Sequence, residues 1–117
     1  MYEIILTQQF EKDVRFYKTK KKYKKIDDDI ETVVKELELG NLLGDEIKEL
    51  ELPADESTYK VRVANTSANI GKSGGFRLIY YVIKNDLEIF LLTIYSKKDK
   101  EDISSSDLTK IIIENCT

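Results

Sequence analysis

Two hydrophobic periods divide the chain. Residues 2–6 (YEIIL) make a short β-rich run that ends at Thr7. Thr7 is a helix-capping residue, with Glu11 in the following turn. Phe10, Val14 and Tyr17 then recur at helical spacing, and the lysines from Lys18 to Lys25 suit the negative end of a helix dipole. Asp27, Asp28 and Asp29 open a second stripe, formed by Ile26, Ile30, Val33, Val34 and Leu37 and stopped by Gly40. The spacing predicts a helical hairpin over 8–22 and 26–39. Residues 41–58 are acidic and irregular, with Pro53 near their end, and read as a surface connection.

From residue 59 the period falls to two. In YKVRV (59–63), Tyr59, Val61 and Val63 share one face, and Lys60 and Arg62 share the other. Ala64 to Gly75 (ANTSANIGKSGG) is a Gly/Ser/Asn loop. FRLIYYVI (76–83) is a nearly continuous apolar strand whose one charge is Arg77. Asn85-Asp86 makes a turn into LEIFLLTIY (87–95), so 76–95 reads as a hairpin. Ser104 to Asp107 has the form of a capping box before the stripe Leu108, Ile111 and Ile112. The predicted fold class is α+β: order β-α-α-β-β-β-α, with the helical hairpin packed on one face of an antiparallel sheet and the other face partly bare.

Composition narrows the class. A length of 117 residues suits a single domain, spanning 1–117. Hydrophobic residues make up 41%, too many for intrinsic disorder. The apolar runs are far shorter than the ~20 residues a bilayer crossing needs, so no membrane partner is expected. No basic-then-apolar leader opens the chain, and the lone Cys116 has no internal partner; both point to a reducing cytoplasm. With no His and one Cys, a zinc site is improbable, and neither metal nor cofactor is expected.

The net charge of −3 argues against a nucleic-acid binder until its distribution is read. Residues 12–25 carry eight basic residues and one acid. Residues 26–58 carry two basic residues and twelve acids, and residues 59–84 carry five basic residues and no acid. A small domain built from such blocks presents faces of opposite sign, and the basic face suits phosphates.

The candidate chemistry sits in the C-terminal half. Lys60 and Arg62 share a strand face, and Arg77 joins it if strands 59–63 and 76–83 pair. Lys97, Lys98 and Lys100 follow the last strand beside Tyr95. Such a cluster suits a phosphate backbone, with Tyr95 placed to stack on a base or move a proton. Plainer readings exist for each part. Lys60 and Arg62 can simply keep an edge soluble, and Arg77 can pair with an acid such as Glu88. The lysine run reads as a solvated helix end, and Tyr80 and Tyr81 as packing residues. The GKSGG segment (71–75) lacks the first glycine and following helix of a phosphate loop.

YKVRV, a variable loop, GGFRLIYYV, a hairpin, then LLTIYSKKDKEDI and a terminal helix together resemble the RelE/ParE toxin superfamily, most closely its RelE/HigB branch. The resemblance covers nearly the whole chain and is strongest over 59–103. It implies the toxin of a type II toxin–antitoxin pair, an mRNA interferase that enters the ribosomal A site and cleaves mRNA. Its partners would be a cognate antitoxin protein, mRNA on the ribosome and rRNA. It also implies a basic concave sheet face opposite the helices. Lys60 and Arg62 match the family's two basic strand residues, Arg77 the arginine of its G-[FY]-R strand, and Lys97 a basic residue after the last strand. Ile103 stands about where some relatives carry Tyr, and Tyr95 is the residue left for that role.

Cleaving RNA without metal needs the 2′-OH to attack the phosphorus. The resemblance and the residue types together assign Lys60 as base, activated by its positive neighbours. Arg62 and Arg77 stabilise the phosphorane. Tyr95 or Lys97 serves as acid or stacking partner. The lysine run 18–25 is expected to dock on rRNA, with steep salt dependence. Two other functions fit the same resemblance: a ParE-like DNA gyrase inhibitor, and a catalytically inactive RelE-fold protein-binding module.

Overall fold

Thr7 marks the first corner of the chain, in a computed structural model that describes residues 1–116. Its hydroxyl accepts the Phe10 N–H at 3.2 Å and donates to the Leu91 carbonyl at 2.7 Å. One side chain thus ends strand β1 (Glu3–Leu6), caps helix α1 (Gln8–Thr19) and ties both to a strand 84 residues away. Helix α2 (Ile26–Glu38) follows, and Gly40, at φ +88°, supplies the left-handed step after it. α1 stops three residues before the expected end at 22. The lysines from Lys20 to Lys25 lie in the connection, where Lys22 takes a φ of 59°. A helical lysine run would set like charges one turn apart, which disfavours its continuation.

The remaining elements are β2 (Asp45–Glu46), β3 (Glu56–Val63), a 3₁₀ turn (Thr66–Ala68), β4 (Phe76–Ile83), β5 (Glu88–Ser96) and α3 (Ser105–Asn115). The sheet order is β1-β5-β4-β3-β2. The α+β class holds, but the sheet is mixed and not antiparallel. β1 runs parallel to β5, from Glu3 opposite Glu88 to Leu6 opposite Leu91. The helical hairpin carries the chain across one face between β1 and the later strands, which permits that parallel edge. The element order also differs from expectation. Asp45 and Glu46 pair with Lys60 and Tyr59, adding a short strand inside the stretch read as irregular.

Alternation along the strands sorts the core into two layers. Phe10 and Tyr17 of α1 and Ile26, Ile30, Val33 and Leu37 of α2 pack on Val61, Val63, Phe76, Leu78, Tyr80 and Val82. The opposite face, expected to be partly bare, is covered over most of its length. Leu108 and Ile112 of α3 cover Ile79, Tyr81, Leu92 and Tyr95 there, with Ile47, Leu50 and Leu52 packed alongside. The apolar positions of 76–83 on both faces require this: Ile79 is as fully buried as Leu78. Solvent reaches that face at the end of β3, where Arg62 is exposed and Lys60 half-buried. No helix among the described residues is long and apolar enough to cross a membrane.

Candidate functional site

The antiparallel register places Arg62 of β3 directly opposite Arg77 of β4, and Arg77 directly opposite Tyr95 of β5. These three therefore form one row across three strands and share one face of the sheet. Lys60 lies two residues along β3, on the same face, opposite Ile79. The residues singled out on the strands thus converge.

Arg77 is 7% exposed, and its charge is met by peptide carbonyls. Its guanidinium donates to the carbonyls of Ser73 at 2.9 Å, Phe76 at 3.1 Å and Lys72 at 3.3 Å. Glu88, the acid considered as its partner, stands opposite Ile83 at the other end of β4. No carboxylate pairs with Arg62 or Arg77 among the described residues. The loop after β3 is folded tightly enough to present those carbonyls. Gly75 lies so close to β3 that a Cβ there would stand 2.3 Å from the Val63 carbonyl oxygen.

Lys97 reaches the same loop from the end of β5. Its N–H donates to the Gly75 carbonyl at 2.9 Å, and its ammonium approaches the Ser73 carbonyl at 3.5 Å. Ser73 therefore receives both the Arg77 guanidinium and the Lys97 ammonium, which brings Lys97 to the edge of the row.

Tyr95 differs from expectation. It is 4% exposed, so its ring is closed to base stacking in this conformation. The Lys100 ammonium lies 5.7 Å from the ring centroid, within cation–π range. The Tyr95 hydroxyl is buried and has no well-formed hydrogen bond, with the Asp102 carboxylate close by as its acceptor. Its pKa is pushed up to about 12, first by burial and then by the nearby Asp102 carboxylate, with the Arg77 guanidinium opposing. At neutral pH this phenol keeps its proton and is a donor.

Asp102 was not singled out in the sequence, and it is the acid of the site. Its Oδ1 lies 3.1 Å from Lys60 Nζ and accepts the Ile103 N–H at 2.8 Å. These contacts, the backbone one foremost, hold its carboxyl below the usual carboxylate range. The acids interspersed with lysines just after an apolar strand were the available signal, but their pairing with Lys60, 42 residues away, depends on the fold.

The lysine-rich connection between α1 and α2 lies nearby. Lys21 pairs with Asp99 at 3.4 Å, and Lys18 with Asp27. Among the described residues, no group of three His, Cys, Asp or Glu side chains is arranged around a metal position. What the site offers is a cationic row backed by a protonated phenol, a constellation for holding an oxyanion and giving it a proton. No family model matches the chain.

Proposed function

We propose that the chain is the toxin of a type II toxin–antitoxin pair. In this reading it is a RelE/HigB-like, ribosome-dependent endoribonuclease that cleaves mRNA without metal and so halts translation in the cytoplasm. The observation that carries this reading is the row Arg62–Arg77–Tyr95 with Lys60 beside it. Like charges opposed across strands are unfavourable. An anion between Arg62 and Lys60 would relieve that cost.

The mechanism follows from the placement of each group. Arg62 and Lys60, which reach solvent, hold the phosphate. Arg77 adds charge from beneath, its orientation set by three carbonyls. Lys60 first gives its own proton to solvent, and as the neutral amine it then takes the 2′-OH proton while the 2′-oxygen attacks phosphorus. The cation cluster stabilises the extra negative charge of the phosphorane. Tyr95, or Lys97 from the rim, gives a proton to the departing 5′-oxygen, leaving a 2′,3′-cyclic phosphate. No group among the described residues fixes the in-line geometry alone, so the ribosome supplies orientation. The cognate antitoxin would cover this cationic face with acidic or amphipathic segments.

Tightly controlled expression tests the reading. Wild type arrests growth and yields translation-dependent mRNA cuts, while Arg62→Ala and Lys60→Ala do neither. Arrest by all variants alike removes the site assignment. A folded wild type that neither arrests growth nor cuts mRNA removes the function. DNA damage signalling in place of mRNA fragments would identify a gyrase poison.

A second reading has its own observation. Arg77 is satisfied by carbonyls, Lys60 by Asp102, and Tyr95 is covered. A catalytically inactive RelE-fold binding module would look the same, and it predicts no cleavage by any variant.

A further inference from the structure

The segment from Lys97 to Ser104 leaves β5, crosses the end of the candidate site and enters α3. Backbone bonds tie Lys97 to the Gly75 carbonyl and Asp99 and Lys100 to the Ser96 carbonyl, and the remaining ties are side-chain contacts. Asp99 meets Lys21 on one side, and Asp102 meets Lys60 on the other. Between them Lys100 rests over the Tyr95 ring. Ile103 packs at the edge of the second core layer, and Ser104 caps α3 by accepting the Asp107 N–H at 3.1 Å. The segment is thus strapped across the sheet by two ion pairs, one to each side.

Neither strap is strong. The Asp102 side chain is 64% exposed and that of Lys60 33%, so water and salt screen their attraction. The Lys21–Asp99 pair is similarly open. Beneath them lies Tyr95, whose hydroxyl is sealed from solvent and faces the Asp102 carboxylate without a well-formed hydrogen bond. Buried hydroxyls are nearly always hydrogen-bonded, so an orphan one calls for a reason. A weakly held cover over an unsatisfied donor provides one.

We propose that Asp102 is a built-in competitor for the phosphate seat. Its carboxylate holds the Lys60 ammonium in place of a phosphodiester, and an incoming phosphate displaces it, lifting 97–103 from Tyr95. This rests on the proposed RNA-cleaving function and adds a regulatory step to the same site. The carboxylate has the charge and the paired oxygens of a phosphate's non-bridging edge. Its nearness to the Tyr95 hydroxyl indicates where the incoming phosphate would find a second donor. In the resting state the cation cluster is partly neutralised from within, which weakens its attraction for stray polyanions. Only a ligand held in place by other contacts, as mRNA is on a ribosome, competes effectively.

The test uses the full chain and inorganic phosphate, followed by NMR on Lys60 and Tyr95, with hydrogen exchange of the 97–103 amides read alongside. Asp102→Asn keeps the size of the side chain and removes its charge. It is expected to bind phosphate about two- to five-fold more tightly, the range an exposed ion pair supports. Its 97–103 amides are expected to exchange faster while those of β4 and β5 stay protected. Saturating phosphate should move the wild-type Tyr95 and Ile103 signals in the same direction. Adding Lys60→Ala to Asp102→Asn should abolish the gain. Equal or weaker phosphate binding by folded Asp102→Asn overturns the proposal, as does phosphate binding that leaves the 97–103 signals unmoved. The parent reading fails separately. Phosphate competition with no mRNA cleavage removes the nuclease and keeps the competitor, whereas cleavage with no competition does the reverse.

Discussion

Arg62 and Arg77 stand directly opposite each other on adjacent antiparallel strands, yet the fold treats them in opposite ways. Arg77 is buried and donates to three backbone carbonyls, while Arg62 is exposed with no carboxylate partner among the described residues. Two neighbouring arginines should therefore answer mutation with opposite signs. Arg77→Ala leaves three carbonyls without their donor and frees the loop before β4. It should cost about 1–3 kcal/mol in denaturant unfolding. Arg62→Ala removes a like-charge opposition and should leave stability unchanged or raise it by up to about 1 kcal/mol. A matched loss for both would mean that Arg62 has a structural partner.

Tyr95→Phe separates packing from chemistry. The ring stays in the second core layer, and what leaves is a buried hydroxyl with no well-formed hydrogen bond. Stability should hold or rise by about 1 kcal/mol, because an unsatisfied buried donor is costly. Cleavage should fall by roughly 10²-fold or more if the phenol is the proton donor. Unchanged cleavage would move that role to Lys97.

The tyrosines also set an alkaline limit. Burial pushes Tyr17 and Tyr95 up to about 12, from about 10 in an unfolded chain. Between those values the unfolded state releases the protons that the folded state retains. Stability is therefore full below pH 10 and declines as pH rises towards 12. Titration by tyrosinate absorbance should show these two phenols ionising late, together with the loss of tertiary structure. Their early ionisation in a still-folded chain would contradict the burial described.

Gly75→Ala tests the loop that serves Arg77. A Cβ at 2.3 Å from the Val63 carbonyl oxygen cannot be accommodated without moving backbone. The loop must shift, carrying the Ser73 carbonyl away from Arg77 and Lys97. A loss of about 1–3 kcal/mol is expected in denaturant unfolding. Wild-type stability would mean the strand and loop are less closely apposed.

Local signals explain what could be read from the sequence. Thr7 and Ser104 are caps as expected, and strands 76–83 and 88–96 fall within a residue of their expected bounds, because caps and period-two runs are properties of neighbouring residues. The i, i+2 spacing of Lys60 and Arg62, with Arg77 on the next strand, was likewise enough to anticipate a shared face. Pairings between distant residues were not legible. Nothing in YEIIL says that it lies parallel to β5, and nothing in Asp102 says that it meets Lys60. The covering of the second face was hidden for a related reason. A nearly continuous apolar strand is consistent with two buried faces, but the stripe of α3 does not say which face it seeks. Tyr95 consequently looked available for stacking, whereas it is enclosed.

The central claim is that the cationic row across β3, β4 and β5 is a site for cleaving mRNA on the ribosome. The most direct measurement is the cleavage rate of a defined mRNA on programmed ribosomes by purified wild type and Arg62→Ala, with folding of both checked by thermal unfolding. The account predicts cleavage by wild type that needs the ribosome and survives chelation of divalent ions once the complex is formed. It predicts a rate lower by about 10²-fold or more in the equally stable Arg62→Ala chain. Equal rates for the two proteins, or no cleavage by a folded wild type, would contradict it.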